Sequence, residues 1–181
     1  MKFHFNVNLS DQDYLDYNVF WAIRSPYGKK QVTSYRVLLA VLFFGVILLS
    51  LYGGGFSTVS FIGVIPMLIV AVLVQIFLTR FLAWTLKVYI ISLKKKGKMG
   101  YSPSSVIEFY DNSFVEIAEF NTTEQKYSAI ERISVVDNKV VYIHVNNIMS
   151  YILPLSCFES EEQYKNFLDF IKTKCANTDV Y

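Results

Sequence analysis

Charge is scarce in this chain. Asp, Glu, Lys and Arg make up 18% of its 181 residues, against about 25% in an ordinary soluble domain. Hydrophobic residues make up 53%, and the mean hydropathy is +0.34. The net charge is only +2, too small to argue for a nucleic-acid-binding domain with its dense basic face. Cysteine is nearly absent: Cys157 and Cys175 are the only two, and neither has a partner at metal-ligand spacing. Both are expected to be ordinary reduced thiols in a cytoplasmic segment. Histidine is equally rare. His4 and His144 each fall on an alternating stretch, on what reads as its polar face. A metal site or a nucleophile–base pair needs His beside other ligands, and such a pair would require the strands carrying His4 and His144 to meet. Met1–Ser10 contains no apolar run, so no signal peptide is expected.

The apolar excess lies in two uncharged runs, Val37–Tyr52 and Val59–Leu78. A membrane-spanning helix needs about 20 apolar residues. The second run meets that length; the first does so if Gly53 to Phe56 lie partly in the interface. Gly53-Gly54-Gly55 breaks the two runs apart, because glycine adopts turn conformations readily. It is not a phosphate-binding loop, for it lacks the following Lys and Ser/Thr. The pattern predicts a helical hairpin with a very short connection. Lys29, Lys30 and Arg36 precede it, while Arg80, Lys87, Lys94, Lys95, Lys96 and Lys98 follow. Positive charge marks the cytoplasmic side, so both termini are expected there. Tyr35, Tyr52, Trp84 and Tyr89 stand where interfacial aromatics occur. The second helix is expected to continue past Arg80 towards Leu93, leaving the bilayer. Gln75 is read as hydrogen-bonding to the neighbouring helix or as lying near the cytoplasmic interface, and Pro66 as a proline tolerated within its helix. Lys94, Lys95, Lys96 and Lys98 form a topology signal that can also contact anionic headgroups.

Outside the hairpin, Phe3, Phe5, Val7 and Leu9 alternate with polar residues, predicting a half-buried strand. Ser10 then caps a helix running to about Arg24, ended by Ser25-Pro26 and Gly28. After Gly100, strands are predicted near Val106–Tyr110, Phe114–Phe120, Glu124–Ser128, Ile130–Val136, Val140–Val145 and Met149–Pro154. Asp111-Asn112, Asn121-Thr122, Asp137-Asn138 and Asn146-Asn147 separate them as turn formers. Ser160 caps a last helix, with Gln163 at the capping-box position. Its stripe of Tyr164, Phe167, Leu168, Ile171 and Cys175 is expected to pack on the sheet. The amino-terminal strand is free to join that sheet, because both termini are placed on one side. Asp11/Asp13 and Glu161/Glu162 sit at helix starts, where negative charge is favoured. Glu116, Glu119 and Glu131 read as solvated.

The predicted fold class is an α+β membrane protein: a two-helix transmembrane hairpin plus a cytoplasmic antiparallel β-barrel or meander, pleckstrin-homology (PH)-like, with a C-terminal helix. The expected parts are residues 1–35, 36–93 and 94–181. Leu153-Pro154 ahead of Cys157-Phe158, then Ser160-Glu161-Glu162 and Phe167, resembles the YcxB-like family of bacterial membrane proteins. The order of parts is similar over nearly the whole chain. The resemblance implies a bacterial inner-membrane protein with a PH-like domain, and it brings no catalytic residues.

The expected function is therefore to tether a cytoplasmic interaction module to the membrane. An anionic-lipid-contacting sensor or a small subunit of a transport complex are the alternatives. No enzyme activity, cofactor, metal or nucleic acid is expected. The expected partners are membrane lipid, a protein bound through the C-terminal domain, or further copies of the chain.

Overall fold

The computed structural model describes residues 1–55, 58–97, 101–146 and 149–181. Its elements are, in order, β1 (Phe3–Asn8), α1 (Asp11–Val19), a π-helical turn (Phe20–Arg24), α2 (Pro26–Gly53), α3 (Thr58–Lys95), β2 (Ser104–Phe109), β3 (Ser113–Ala118), β4 (Thr122–Lys126), β5 (Arg132–Val136), β6 (Val140–His144), β7 (Ser150–Pro154), α4 (Glu161–Lys174) and β8 (Thr178–Val180). They form two compact units, Met1–Tyr17 with Gly100–Tyr181, and Asn18–Met99. Lys98, Gly100 and Asn147, which carry parts of the sequence reading, lie outside the described residues.

In the first unit the alternation of residues 3–8 does what a half-buried strand requires. Phe5 and Val7 are buried, whereas His4, Asn6 and Asn8 are exposed. β1 pairs antiparallel with β2, from Phe3 opposite Phe109 to Asn8 opposite Ser104. The amino-terminal strand thus joins the sheet formed after residue 100, although α2 and α3 intervene in sequence. The first sheet has the order β1-β2-β3-β4, and the second β7-β6-β5-β8. Asp137 and Asn138 both take positive φ at the β5–β6 turn, the conformation that tight hairpins demand and that Asp and Asn tolerate.

The described strands do not close into a barrel, which corrects that part of the sequence reading. Two features divide the sheets. A 3-10 turn at Tyr127–Ala129 follows β4, and its buried Tyr127 hydroxyl donates to the Tyr110 carbonyl at 2.7 Å. The free edge of β5 is then occupied by β8, which returns after α4 and pairs with it in parallel, so β4 has no place beside β5. This last strand is too short and polar to show an alternation.

The core between the sheets and α4 is aromatic. Phe5, Phe109, Phe114 and Phe167 are fully buried, with Ile107, Ile133, Ile143, Leu153 and Ile171 around them. α4 supplies Tyr164, Phe167 and Ile171 from one stripe, with Cys175 just past its end. Ser160 Oγ accepts from Gln163 N at 3.1 Å, and Gln163 Oε1 accepts from Glu159 N at 2.8 Å. The side chains of Ser160 and Gln163 thus both bond to backbone N–H groups at the helix start.

In the second unit Ser25 and Pro26 begin a helix rather than only ending one. Ser25 Oγ accepts from Gly28 N at 3.0 Å and donates to the Trp21 carbonyl at 2.6 Å. Pro26 occupies the first turn of α2, where its missing N–H is no loss. The same residues stop the first helical stretch at Arg24, as expected, and also start α2. Gly28 lies inside α2 because a Cβ would come within 2.5 Å of the Trp21 carbonyl oxygen.

α2 and α3 are long and apolar enough to cross a membrane. At 1.5 Å rise per residue they measure about 42 and about 57 Å. They are not the buried core of a soluble domain: Leu42, Phe44, Leu49, Ile69 and Ile76 point outward. α3 continues through Pro66 without a break. Gln75 Nε2 donates to the Arg36 carbonyl at 3.0 Å, joining α3 to α2 as expected.

Candidate functional site

The lysines singled out in the sequence end α3. Lys94 and Lys95 occupy its last turn, where cations suit the helix dipole, and Lys96 follows in the turn. All three are exposed. Lys29, Lys30 and Arg36 lie in the first turns of α2. Arg36 lies 17 residues before the end of α2 (53 − 36) and Gln75 17 residues after the start of α3 (75 − 58), so their hydrogen bond sets the helices antiparallel and gathers the basic residues of both towards one end of the hairpin. An open groove of about 600 Å³ lies between the helices, lined by Phe43, Ile47, Leu68 and Ala71 among others. Arg36 and Gln75 are its polar lining residues, and the Gln75 side chain is already engaged by the Arg36 carbonyl.

A second constellation was not expected. His144 is 2% exposed, not solvent-facing. Both faces of the second sheet are covered, since Tyr142 and His144 are as inaccessible as Val141 and Ile143. His144 Nδ1 lies 2.8 Å from Ser150 Oγ and Nε2 lies 3.0 Å from Ser134 Oγ. The Tyr17 hydroxyl donates to Ser150 Oγ at 2.8 Å, and its ring packs edge-on against Tyr142 at 5.2 Å. Both ring nitrogens thus face a serine hydroxyl, so the neutral imidazole donates to one of them and accepts from the other. The network pins α1 to the second sheet. His144 and Ser150 are direct cross-strand partners in the β6–β7 register, a relation visible only once the pairing is known. His4 does not join them. It sits on the first sheet with its Nδ1 3.4 Å from Glu108 Oε1.

Burial drives the His144 pKa down to about 4, and the Arg132 cation adds to this, while Asp179 opposes it. The ring is neutral at physiological pH. Below 6.5, its ordinary value, the unfolded chain takes up a proton that the folded chain refuses until about pH 4. The associated stability is complete above 6.5 and is lost as pH falls towards 4, to the extent of on the order of 3 kcal/mol. The urea midpoint of the first unit is therefore expected to fall between about pH 7 and about pH 5. His144→Gln is expected to start lower but to change less over that window. Equal acid sensitivity in the two proteins would show that His144 is not the group responsible.

Glu116 is half-buried rather than solvated, and desolvation pushes its carboxyl up against an opposing hydrogen bond from Ser105. Burial raises the Cys157 thiol to about 12, which suppresses the thiolate that would react. Cys175 is buried with its Sγ 3.6 Å from the Asn177 carbonyl. Among the described residues no three His, Cys, Asp or Glu side chains gather as a metal site.

The stretch from the end of β2 to the last turns of α4 holds the Pro154-to-Ser160 junction and the buried Phe167. Residues 109–171 match the family model of YcxB-like protein. The resemblance read from Leu153-Pro154, Cys157-Phe158, Ser160-Glu161-Glu162 and Phe167 is borne out there. No curated protein and no solved structure matches the chain. The YcxB-like region includes His144, Ser134 and Ser150, but Tyr17 comes from outside it. So do Phe5 and Val7 of the core, and β8 at the edge of the second sheet.

Proposed function

We propose that this chain is an integral inner-membrane protein whose α2–α3 hairpin holds a PH-like interaction module at the cytoplasmic surface. The observation that carries the reading is the pair of long apolar helices with outward-facing side chains, bounded by lysine and arginine at one end. Apolar surface of that extent is stable in lipid and not in water. Two sheets followed by a helix that covers the core support the PH-like reading of the module. Its exposed edge strands suit capture of an extended protein segment. No step of chemistry is assigned to it.

Fusions in a bacterial host test the orientation. Alkaline phosphatase inserted after Gly54 should be active, being exported, and a fluorescent protein at either terminus should fluoresce, being cytoplasmic. The opposite pattern, or release of the chain from membranes by alkaline carbonate, would overturn the proposal. Lys94, Lys95 and Lys96, with Lys98 beyond the described residues, are assigned to anionic headgroups, at about 1 kcal/mol per charge. Changing the first three to Gln should leave the orientation intact, since Arg80 and Lys87 remain. It should remove the enrichment of anionic lipid in the purified protein. Unchanged enrichment would remove the lysines from the lipid site.

A further inference from the structure

Residues 18–99 hold ten lysines and arginines and no aspartate or glutamate. All 15 acidic side chains of the protein lie outside them. The hairpin unit therefore carries no counter-charge of its own. Arg36 is the deepest of its cations. It immediately precedes the uncharged run Val37–Tyr52, and its carbonyl accepts from Gln75 Nε2 at 3.0 Å. That bond sets Arg36 level with Gln75, inside the second uncharged run. Arg80 stands five residues further out on α3, about 7.5 Å along the axis. Among the described residues Arg36 makes no ion pair. A cation at that depth is stable when an anion meets it.

Arg36 also stands at one end of the groove between α2 and α3. The groove measures about 600 Å³, a volume suited to a small-molecule ligand. On α2 its wall runs from Arg36 past Ala40 to Ile47, and α3 contributes Gln75, Ala71 and Leu68. From Arg36 to Ile47 is eleven residues, about 16 Å. Ala40 and Ala71 are small and leave the space that larger side chains would fill. Apart from Arg36 and Gln75, every lining residue is apolar. The Gln75 amide is spent on the Arg36 carbonyl. What is left is one cation without a counter-charge at the end of an apolar channel.

We infer that this groove holds one anionic phospholipid of the surrounding bilayer, its phosphate on Arg36 and one acyl chain lying past Ala40 and Ala71 towards Ile47 and Leu68. The charge of the site fixes the class of ligand. A guanidinium offers paired donors that match two phosphate oxygens. No carboxylate of residues 18–99 is there to repel the headgroup. Basic sites between membrane helices on the cytoplasmic side suit acidic lipid for this reason. A zwitterionic lipid would add a further cation to a unit that already has only cations. The inference rests on the proposed membrane reading and deepens it. The lysines at the end of α3 meet headgroups loosely from the water side, whereas the groove retains a single lipid.

The test is native mass spectrometry of the full chain, taken from bacterial membranes into mild detergent and washed to strip loosely held lipid. One phosphatidylglycerol per chain is expected to remain, and phosphatidylcholine added in excess should not replace it. Arg36→Gln is expected to lower retention several-fold, although its carbonyl can still accept from Gln75. Arg36→Lys should keep most of the lipid. Arg80→Gln removes the same charge outside the groove and should leave retention unchanged. Ala71→Phe fills the groove and should expel the lipid with Arg36 in place. The variants are compared at unchanged helical circular dichroism. Ready replacement by phosphatidylcholine in the parental chain, which needs no variant, would overturn the site. So would equal retention by Arg36→Gln and the parental chain, or a lipid kept by Ala71→Phe. Carbonate extraction separates this inference from the reading beneath it. A chain released from membranes by carbonate refutes the membrane reading. A chain that stays in membranes but holds lipid without regard to Arg36 refutes the lipid site alone.

Discussion

Removal of residues 1–9 is expected to unfold the unit that those residues form with 101–181. β1 is not an appendage to the first sheet. It places Phe5 and Val7, each 1% exposed, in the core, with Phe3 and Leu9 packed beside them. The Phe5 ring lies 4.8 Å from Phe158, 4.9 Å from Phe167 and 5.8 Å from Phe109. Loss of one buried Phe costs about 3–5 kcal/mol, and a whole domain is stable by only about 5–15 kcal/mol. Losing Val7 and the backbone pairing of β2 in addition should exhaust that margin. The exposed edge of β2 would also invite association between chains. The measurement is urea unfolding of the full chain against one shortened to residues 10–181, with Phe5→Ala as the graded intermediate. A shortened chain with an unchanged midpoint and sharp transition would sink the idea. By the same reasoning the YcxB-like region alone, which lacks β1 and nearly all of β2, is not a complete folding unit.

The sequence was most legible where a single local rule decides the outcome. The alternation around Phe5 and Val7, the positive φ tolerated at Asp137 and Asn138, the Ser160 cap and the uncharged runs each depend on neighbours in the chain. It was least legible where a local signal has two readings or where pairing decides. Ser25-Pro26 closes one helix at Arg24 and opens the next at once, so a stop signal read from neighbours alone hides the start of α2. β8 has three residues, and it exists because β5 offers it an edge. Since that edge is taken, the strands divide into two sheets and do not close into one barrel. His144 looked solvent-facing because a strand that alternates Val141, Tyr142, Ile143 and His144 suggests one wet face. Both faces are covered, so the polar side chain needed partners, and Ser134 and Ser150 supply them from neighbouring strands.

Phe167→Ala is expected to have the largest effect of any single substitution in the first unit. The side chain is fully buried. Its ring is surrounded by Phe5 and Phe109 at 4.9 Å, Phe3 at 5.4 Å and Phe158 at 5.6 Å. These neighbours come from β1, β2 and the segment before α4, so no one element can shift to fill the space without disturbing the others. A cavity that cannot collapse puts the cost at the upper end of about 3–5 kcal/mol. Edge-to-face ring pairs add about 0.5–1.5 kcal/mol beyond burial, and Phe167 makes such contacts with Phe3, Phe5 and Phe109. Phe167→Leu keeps the apolar contact and loses the ring pairs, so its cost should be smaller. Hydrogen exchange distinguishes local from general loss. Faster exchange is expected throughout β2 to β8 in the alanine variant, with α2 and α3 unchanged because their packing belongs to a separate unit. Exchange that quickens only within α4 would mean that the helix is a cover over a core already stable without it, and the central place given to Phe167 would be wrong.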